Sequence, residues 1–185
     1  MNWTDFINHT KTRPPHELLV RACALAPVGR ALDIGAGGLR DSRYLASCGF
    51  EVLAVDADAA ILEQERPVGV EIVQANAEDI VFGHDTYSLV NAQYVLPFLP
   101  GVEDIIERMH VSLVSGGVFA GQFFGLHDSW NDGTKDRIKF HSVHQVRDML
   151  APFETLLLED REWDGLTALG VPKHWHVLDF IVRRH

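Results

Sequence analysis

The sequence predicts an α/β protein built on a doubly wound, mostly parallel seven-stranded sheet with an antiparallel C-terminal strand. Three observations favour this fold. Strand-like and helix-like apolar patterns alternate from about residue 14 to residue 150. A glycine-rich turn, Gly35–Gly38, directly follows the first strand-like segment. No helical pattern separates the last two strand-like segments, 154–158 and 176–182, so these are expected to pair antiparallel.

The remaining elements are expected in a regular order. A first helix begins at Pro14–Pro15, where proline costs no helical hydrogen bond, and ends before Pro27. Strands are expected at 30–35, 51–55, 70–73, 87–92 and 118–124, and helices at 38–48, 58–65, 102–113 and 142–151. Residues 125–140 are polar and have no sustained period, so we expect a substrate loop there. Residues 1–185 are expected to form one domain, with 1–13 as an N-terminal segment.

The composition narrows the range of partners. The chain of 185 residues has 16 basic and 26 acidic residues, a net charge of −10. Nonspecific nucleic-acid binding needs an excess of Lys and Arg, so a small-molecule partner is favoured. The longest apolar runs are strand-sized, which predicts no membrane span. Two cysteines, Cys23 and Cys48, and the lack of a secretion signal at the start indicate a cytoplasmic protein.

An acidic residue follows the glycine turn at a sequence spacing that indicates a ligand contact. Asp56 ends the second strand, 21 residues after Gly35. This spacing places a closely approachable backbone and a hydroxyl acceptor on one crevice edge, which indicates a nucleoside-containing cofactor. A nicotinamide dinucleotide site needs a small residue where Arg40 stands, and no Gly-Lys-Ser or Gly-Lys-Thr loop is present. Asp33, just before the turn, would repel a pyrophosphate but suits a cationic amino group.

Several motifs continue this series along the chain. They are residues 32–37, 55–56, 76–79, 88–92 and 113–118. In this order they resemble the class I S-adenosylmethionine-dependent methyltransferases, over roughly residues 12 to 184. Within that class, Arg13–Pro14 and residues 39–45 are similar to small bacterial members of the tellurite-resistance type. The chain departs from the family at Leu39, where a third glycine is usual, and at Asn76, where aspartate is common.

The resemblance implies S-adenosylmethionine as cofactor and assigns its contacts. The glycine turn would let the backbone approach the methionine part, Asp56 would accept the ribose hydroxyls, and Asn76 and Ala77 would meet the adenine edge. The backbone of Asn91 and Ala92 would face the methionine amino group. The full predicted cofactor set is Asp33, Gly35, Ala36, Gly37, Asp56, Ala57, Asn76, Ala77, Asn91 and Ala92.

Other polar and aromatic side chains are candidates for acceptor binding. His127, Asp128 and Trp130 follow the fifth strand at the edge where open α/β sheets bind ligands. His127 or Asp128 would serve as base if the acceptor is a hydroxyl or ammonium. His174 and His176 alternate on one strand and so share a face, which predicts a pocket wall rather than a metal site. Arg13 is a further candidate, for a substrate carboxylate or the cofactor.

These observations predict in-line transfer of the S-adenosylmethionine methyl group to a small-molecule acceptor. Two alternatives stay open. The chain could be a non-catalytic module that binds an adenosyl cofactor, given Leu39 and Asn76. It could also be a nicotinamide-dependent oxidoreductase, which shares the glycine turn. Neither the acceptor nor the oligomeric state follows from the sequence.

Overall fold

The computed structural model describes Ile7 and residues 10–185. Its α-helices are α1 Glu17–Leu25, α2 Arg40–Ser47, α3 Val102–Ser112 and α4 Val143–Met149. Short 3₁₀ helices span Ala59–Glu63, Ala77–Asp79 and Leu96–Phe98. The strands are β1 Arg30–Ile34, β2 Glu51–Asp56, β3 Val70–Gln74, β4 Tyr87–Ala92, β5 Leu113–Gly125, β6 Phe140–His141, β7 Glu154–Leu166 and β8 Pro172–Arg183.

The strands form one sheet in the order β3-β2-β1-β4-β5-β8-β7, with β6 paired to β5. Pairs among β1 to β6 are parallel, whereas β8 is antiparallel to both β5 and β7. The predicted fold class is therefore confirmed, with the two-residue β6 as an addition. None of the helices in the described residues is long and apolar enough to cross a membrane.

The C-terminal hairpin is longer than the sequence pattern predicts. Strands β7 and β8 pair from Glu154–Arg183 to Leu166–Pro172, and a turn over 167–171 joins them. The added pairs place polar residues opposite one another, such as Glu162 opposite His176. Apolar periodicity does not reveal this stretch, because most of its cross-strand pairs contain a polar residue and only the Trp163–Trp175 pair is aromatic. The expected helix at 58–65 is instead the 3₁₀ turn Ala59–Glu63.

The helices cover both faces of the sheet and so define where its crevice opens. Leu19 of α1 and Leu45 of α2 pack on one face, in a cluster with Ala31 and Ile181. Met109 of α3 packs on the other face, in a cluster that includes residues of α4, β5 and β8. The chain leaves β1 for β2 on one side and returns to β4 on the other, so the crevice lies at the carboxyl ends of β1 and β4.

Candidate active site

Two adjoining cavities open at the carboxyl edge of the sheet. The glycine-turn cavity, of about 360 Å³, lies over the ends of β1, β2 and β3. The aromatic cavity, of about 310 Å³, lies between the glycine turn, β5 and the β7–β8 hairpin. Both are lined by Gly35, Gly37, Gln93, Tyr94 and Phe98. These shared residues form the boundary across which ligands in the two cavities would meet.

The turn after β1 requires glycine for steric reasons at Gly35. This residue has φ +73°, and a Cβ there would lie 2.9 Å from Val95 side-chain atoms. Its N–H donates to the Val55 carbonyl at 2.8 Å, which ties the turn to β2. At the family's third glycine position, Leu39 has φ +60° and a fully buried side chain. The left-handed backbone is therefore kept without glycine, and side-chain burial offsets its strain.

Asp56 ends β2 beside this turn, as its predicted role requires. Its Oδ2 accepts the N–H of Gly37 at 2.8 Å, and its Oδ1 accepts the N–H of Asp58 at 2.9 Å. Burial raises the pKa of Asp56, while these backbone donors act in the opposite direction. Each carboxylate oxygen has a second lone pair. The side chain can therefore accept two further hydroxyl donors.

Most of the predicted cofactor residues line one of the two cavities. Ala57, Asn76 and Ala77 lie in the wall of the glycine-turn cavity beside Asp56. The Asn76 amide donates to Asp79 Oδ2 at 2.8 Å, so its orientation is fixed by a carboxylate outside the cavity. Ala36 lines the aromatic cavity instead.

Asp33 and Asn91 lie one layer behind the cavities. Asp33 is 2% exposed and accepts from Ser42 Oγ at 2.5 Å and from the Asn91 amide at 2.8 Å. Burial raises the pKa of Asp33 to about 7, with a smaller contribution from the Asp41 carboxylate. Asn91 Oδ1 in turn accepts from Gln93 at 2.7 Å. Asp33 and Asn91 thus hold Gln93, which does reach the cavity, and Ala92 is fully buried with them.

The aromatic cavity is walled by side chains from distant parts of the chain. Trp163 and Trp175 stack across the hairpin with centroids 5.9 Å apart and planes 12° apart. The other aromatic walls are Tyr94, Phe98, Phe124 and Trp130. His16 also lines this cavity, and burial lowers the pKa of its imidazole to about 4. Its ring therefore stays neutral at pH 7.

Two arginines line the aromatic cavity, one from the segment before α1 and one at the start of α2. Arg13, predicted from the sequence, lines the cavity and donates to the Ala168 carbonyl at 3.3 Å. Arg40 lines it as well, and its Nε donates to Asp41 Oδ1 at 3.3 Å. Trp130, the other predicted acceptor residue in this cavity, supplies one of its aromatic walls.

Four other predicted residues are not brought into either cavity. His174 and His176 share a face, but this face is opposite to that of Trp175, which lines the aromatic cavity. His127 is 70% exposed and lies 2.9 Å from Glu162. Asp128 is fully buried as the ion-pair partner of Lys173. The strand alternation was predicted correctly, but not which face of the sheet carries the cavity.

The histidines on that opposite face form a hydrogen-bonded cluster. His127, Glu162 and His176 have possible ligand atoms within 4.8 Å of one another, the one such group in the part of the chain that the structure describes. Both nitrogens of His176 are already engaged, Nδ1 by the N–H of His127 at 2.9 Å and Nε2 by Asp160 at 2.8 Å. A metal ion at Nδ1 would have to displace a backbone donor, so this geometry does not support a metal site.

The cavity-lining residues that sequence reasoning missed include His16, Gln93, Tyr94 and Phe98. Gln93 and Tyr94 directly follow β4, so the rule that ligands bind at the carboxyl ends of parallel strands could have found them. His16 and Phe98 carry no such signal, because each comes from a segment whose place in space depends on the whole fold.

The fold and the paired cavities define an α/β protein of the doubly wound type with a ligand-sized crevice at the carboxyl edge of its parallel strands. Residues 32–121 match the methyltransferase domain family. Among curated proteins, an uncharacterized methyltransferase of Synechocystis is 33% identical over 110 residues, covering 57% of this chain and 51% of its own length. The trans-aconitate 2-methyltransferase of Paracidovorax citrulli is 34% identical over 165 residues, covering 77% and 63%. The chain thus spans between half and two thirds of these relatives.

Solved structures give the same result for the fold. TehB from Haemophilus influenzae superposes with a TM-score of 0.74 at 16% identity, over 97% of this chain and 66% of its own. A methyltransferase-like protein from Bacillus halodurans gives 0.75 at 16% identity, over 90% and 96%. At these identities the similarity concerns the fold alone. Together with the domain match, it shows that the chain has the fold of these methyltransferases and that residues 32–121 are similar to the methyltransferase domain.

Proposed function

We propose that this protein transfers the methyl group of S-adenosylmethionine to a small-molecule acceptor. The observation that carries the proposal is the shared boundary of the two cavities. One cavity has the glycine turn and the carboxylate that a nucleoside needs, and the wall of the other contains six aromatic side chains. Gly35, Gln93 and Tyr94 lie between them, where a donor and an acceptor would come into contact.

The residues of the glycine-turn cavity fit the cofactor. Asp56 would hold the ribose hydroxyls, Asn76 and Ala77 would contact the adenine, and Gly35 and Gly37 would lie along the methionine part. When bound, the cofactor supplies an electrophilic methyl group on a sulfonium. The open second lone pairs of Asp56 support this fit, since each charge-assisted hydrogen bond contributes about 1.5–3 kcal/mol.

The chain's own contribution would be mainly to orient the acceptor. Holding reacting groups in line can supply about 7–11 kcal/mol of the barrier. If the acceptor carries a hydroxyl proton, His16 is better placed to accept it than the two predicted bases, because its imidazole lines the aromatic cavity, although its lowered pKa makes it a weak base. His127 and Asp128 face other surroundings, Glu162 and Lys173 respectively. We therefore propose His16 in place of these two as the proton acceptor.

Titration calorimetry with S-adenosylhomocysteine tests the proposal. We expect the wild-type protein to bind it, and Asp56→Ala to weaken binding at least tenfold, since two hydrogen-bond acceptors are lost. Glu51→Ala is the matched control, because Glu51 is exposed at the opposite end of the same strand. Binding of NADH in place of S-adenosylhomocysteine would overturn the proposal in favour of an oxidoreductase.

A second measurement separates an enzyme from a cofactor-binding module. The protein is incubated with methyl-labelled S-adenosylmethionine and a panel of small acids, phenols and amines, and label in the product is counted. We expect transfer to at least one acid or phenol. The trans-aconitate methyltransferase among the relatives makes trans-aconitate a sensible member of the panel. Cofactor binding without transfer to any member would favour the non-catalytic alternative.

A further inference from the structure

The walls of the aromatic cavity bound the size and shape of what it can hold. Six aromatic side chains surround a volume of about 310 Å³, at the small end of the range for ligand pockets. The rings of Trp163 and Trp175 are nearly parallel, and the ring centroids of Trp130 and Trp175 are 5.8 Å apart. Rings so arranged favour a flat guest over a branched aliphatic one, because offset stacking adds to apolar burial.

The charges on the cavity wall are mainly positive, in a chain whose net charge is −10. Most arginines elsewhere on the hairpin and its neighbours are paired with carboxylates, for example Arg161 with Asp179 and Arg183 with Glu154. Arg13 makes no ion pair with a carboxylate among the described residues, and its guanidinium donates a hydrogen bond to the Ala168 carbonyl. A guanidinium left in this way can bind an incoming carboxylate at little cost.

Arg40 stands on the same wall and is only partly satisfied. Its Nε meets Asp41, whose Oδ1 also accepts the N–H of His16 at 3.0 Å. Within the described part of the chain, neither terminal nitrogen of Arg40 has a hydrogen-bond partner within 3.5 Å. Asp41 is the one carboxylate on the cavity wall and is already shared between two donors. The cavity wall therefore has hydrogen-bond donors that remain available to an anion.

A buried cation behind the aromatic wall disfavours a positively charged guest. The Lys173 side chain is fully buried, with its ammonium 4.2 Å from the Trp175 ring centroid and 4.3 Å from that of Trp130. Both rings already make a cation–π contact with the Lys173 ammonium, which is paired with Asp128. A second cation in the cavity would meet rings whose negative faces are engaged, and would face Arg13 and Arg40 as well.

We propose, on the basis of the function proposed above, that the acceptor is a flat aromatic carboxylic acid. Its ring lies between the aromatic walls, and its carboxylate faces Arg13 and Arg40. The inference concerns which molecules the cavity binds, and it applies equally whether the methylated atom is the carboxylate or a hydroxyl on the ring.

Calorimetry with matched probes tests this inference. Cinnamate, cinnamylamine and hexanoate are titrated into the protein saturated with S-adenosylhomocysteine, at low and moderate salt. We expect cinnamate to bind at least tenfold more tightly than either of the others, and more weakly as salt rises. Arg13→Gln and Arg40→Gln should each weaken cinnamate about five- to tenfold, and Trp163→Leu should do the same through loss of stacking.

Arg147→Gln is the matched control, since Arg147 lies on α4 away from the cavity. It should bind cinnamate as the wild type does, and Arg13→Gln should keep its affinity for S-adenosylhomocysteine within twofold. Equal or tighter binding of cinnamylamine, or unchanged cinnamate affinity in both arginine variants, would overturn the inference. Failure of wild-type protein to bind S-adenosylhomocysteine would instead count against the proposed function, so the two failures are distinguishable.

Discussion

The two cavities are built in different ways. The glycine-turn cavity is made largely of backbone and short side chains at the ends of β1, β2 and β3, where neighbouring residues fix one another through bonds such as Gly37 N–H to Asp56. The aromatic cavity is made of large side chains from the segment after β4, from β5 and the loop that follows it, and from the hairpin. We therefore expect single substitutions to change the ligand preference of the aromatic cavity more readily than that of the glycine-turn cavity.

The largest effect on the free energy of unfolding is expected from the buried ion pair behind the aromatic wall. Asp128→Ala leaves the Lys173 ammonium buried without its partner, and losing one member of such a pair costs about 3–5 kcal/mol. We expect this loss in the free energy of unfolding, measured by urea denaturation. The double variant Asp128→Leu with Lys173→Met should recover most of it. A loss under about 1 kcal/mol would show that the pair does not support the wall.

In the glycine-turn cavity, two neighbouring glycines should respond unequally. Gly35→Ala forces both a left-handed alanine and a contact of 2.9 Å with Val95, and we expect about 2–3 kcal/mol of destabilisation. Gly37→Ala has room, with Ile7 at 3.6 Å, so only backbone strain of about 1 kcal/mol remains. Urea unfolding of both variants measures the difference. Equal losses would mean that backbone strain alone, without the Val95 contact, explains why position 35 requires glycine.

Leu39 tests how the family's third glycine was replaced. Leu39→Gly relieves left-handed strain of about 1–2 kcal/mol but removes a buried leucine side chain, a loss of about 2–5 kcal/mol. We expect a net destabilisation of about 1–3 kcal/mol by thermal or urea unfolding. A more stable Leu39→Gly variant would show that strain outweighs packing at this position.

The smallest effects concern two histidines with opposite pKa shifts. Burial lowers the pKa of His16 to about 4, whereas hydrogen bonds to Asp164 and Glu162 raise the pKa of His174 above its usual 6.5. The stability linked to His16 is therefore lost as pH falls from about 6.5 towards 4. That linked to His174 is present at low pH and lost as pH rises through its folded pKa. Titration of the imidazole carbon protons by NMR measures both values.

The pKa shifts of the two histidines have different causes. Arg40 and Arg13 oppose protonation of His16, and the neighbouring Asp41 favours it, but burial is the largest influence. His174 is exposed, and its two carboxylate neighbours decide its pKa. A pKa of His16 near 6.5 would mean that its ring is solvated rather than held in the cavity wall. His16→Asn should abolish the acid-side loss of stability that we assign to it.

Much of the wall of the glycine-turn cavity could be predicted, because its residues are adjacent in sequence to strand ends. Gly35 and Asp56 needed only the order of strand, turn and strand. Asp33 was harder, because its position before the turn suggested a ligand contact, whereas strand alternation turns it inwards towards Ser42 and Asn91. Sequence spacing gives the end of a strand, but the side-chain direction at that end depends on the packing of α2 and β4.

The wall of the aromatic cavity was largely beyond sequence reasoning. His174 and His176 were placed on a common face, which the pairing of β7 and β8 bears out, but the opposite face carries the cavity. Which face is open depends on where Arg13 and His16 pack, and no periodicity encodes that. Trp163 and Trp175 are brought together by a hairpin whose polar cross-strand pairs concealed its true length.

The most direct test is a crystal structure of the protein grown with S-adenosylhomocysteine. Our account predicts that the adenine lies by Asn76 and Ala77, that the ribose hydroxyls reach Asp56, and that the thioether end points past Gly35 towards Tyr94. Density for the ligand in the aromatic cavity, or a glycine-turn cavity filled by protein side chains, would contradict it.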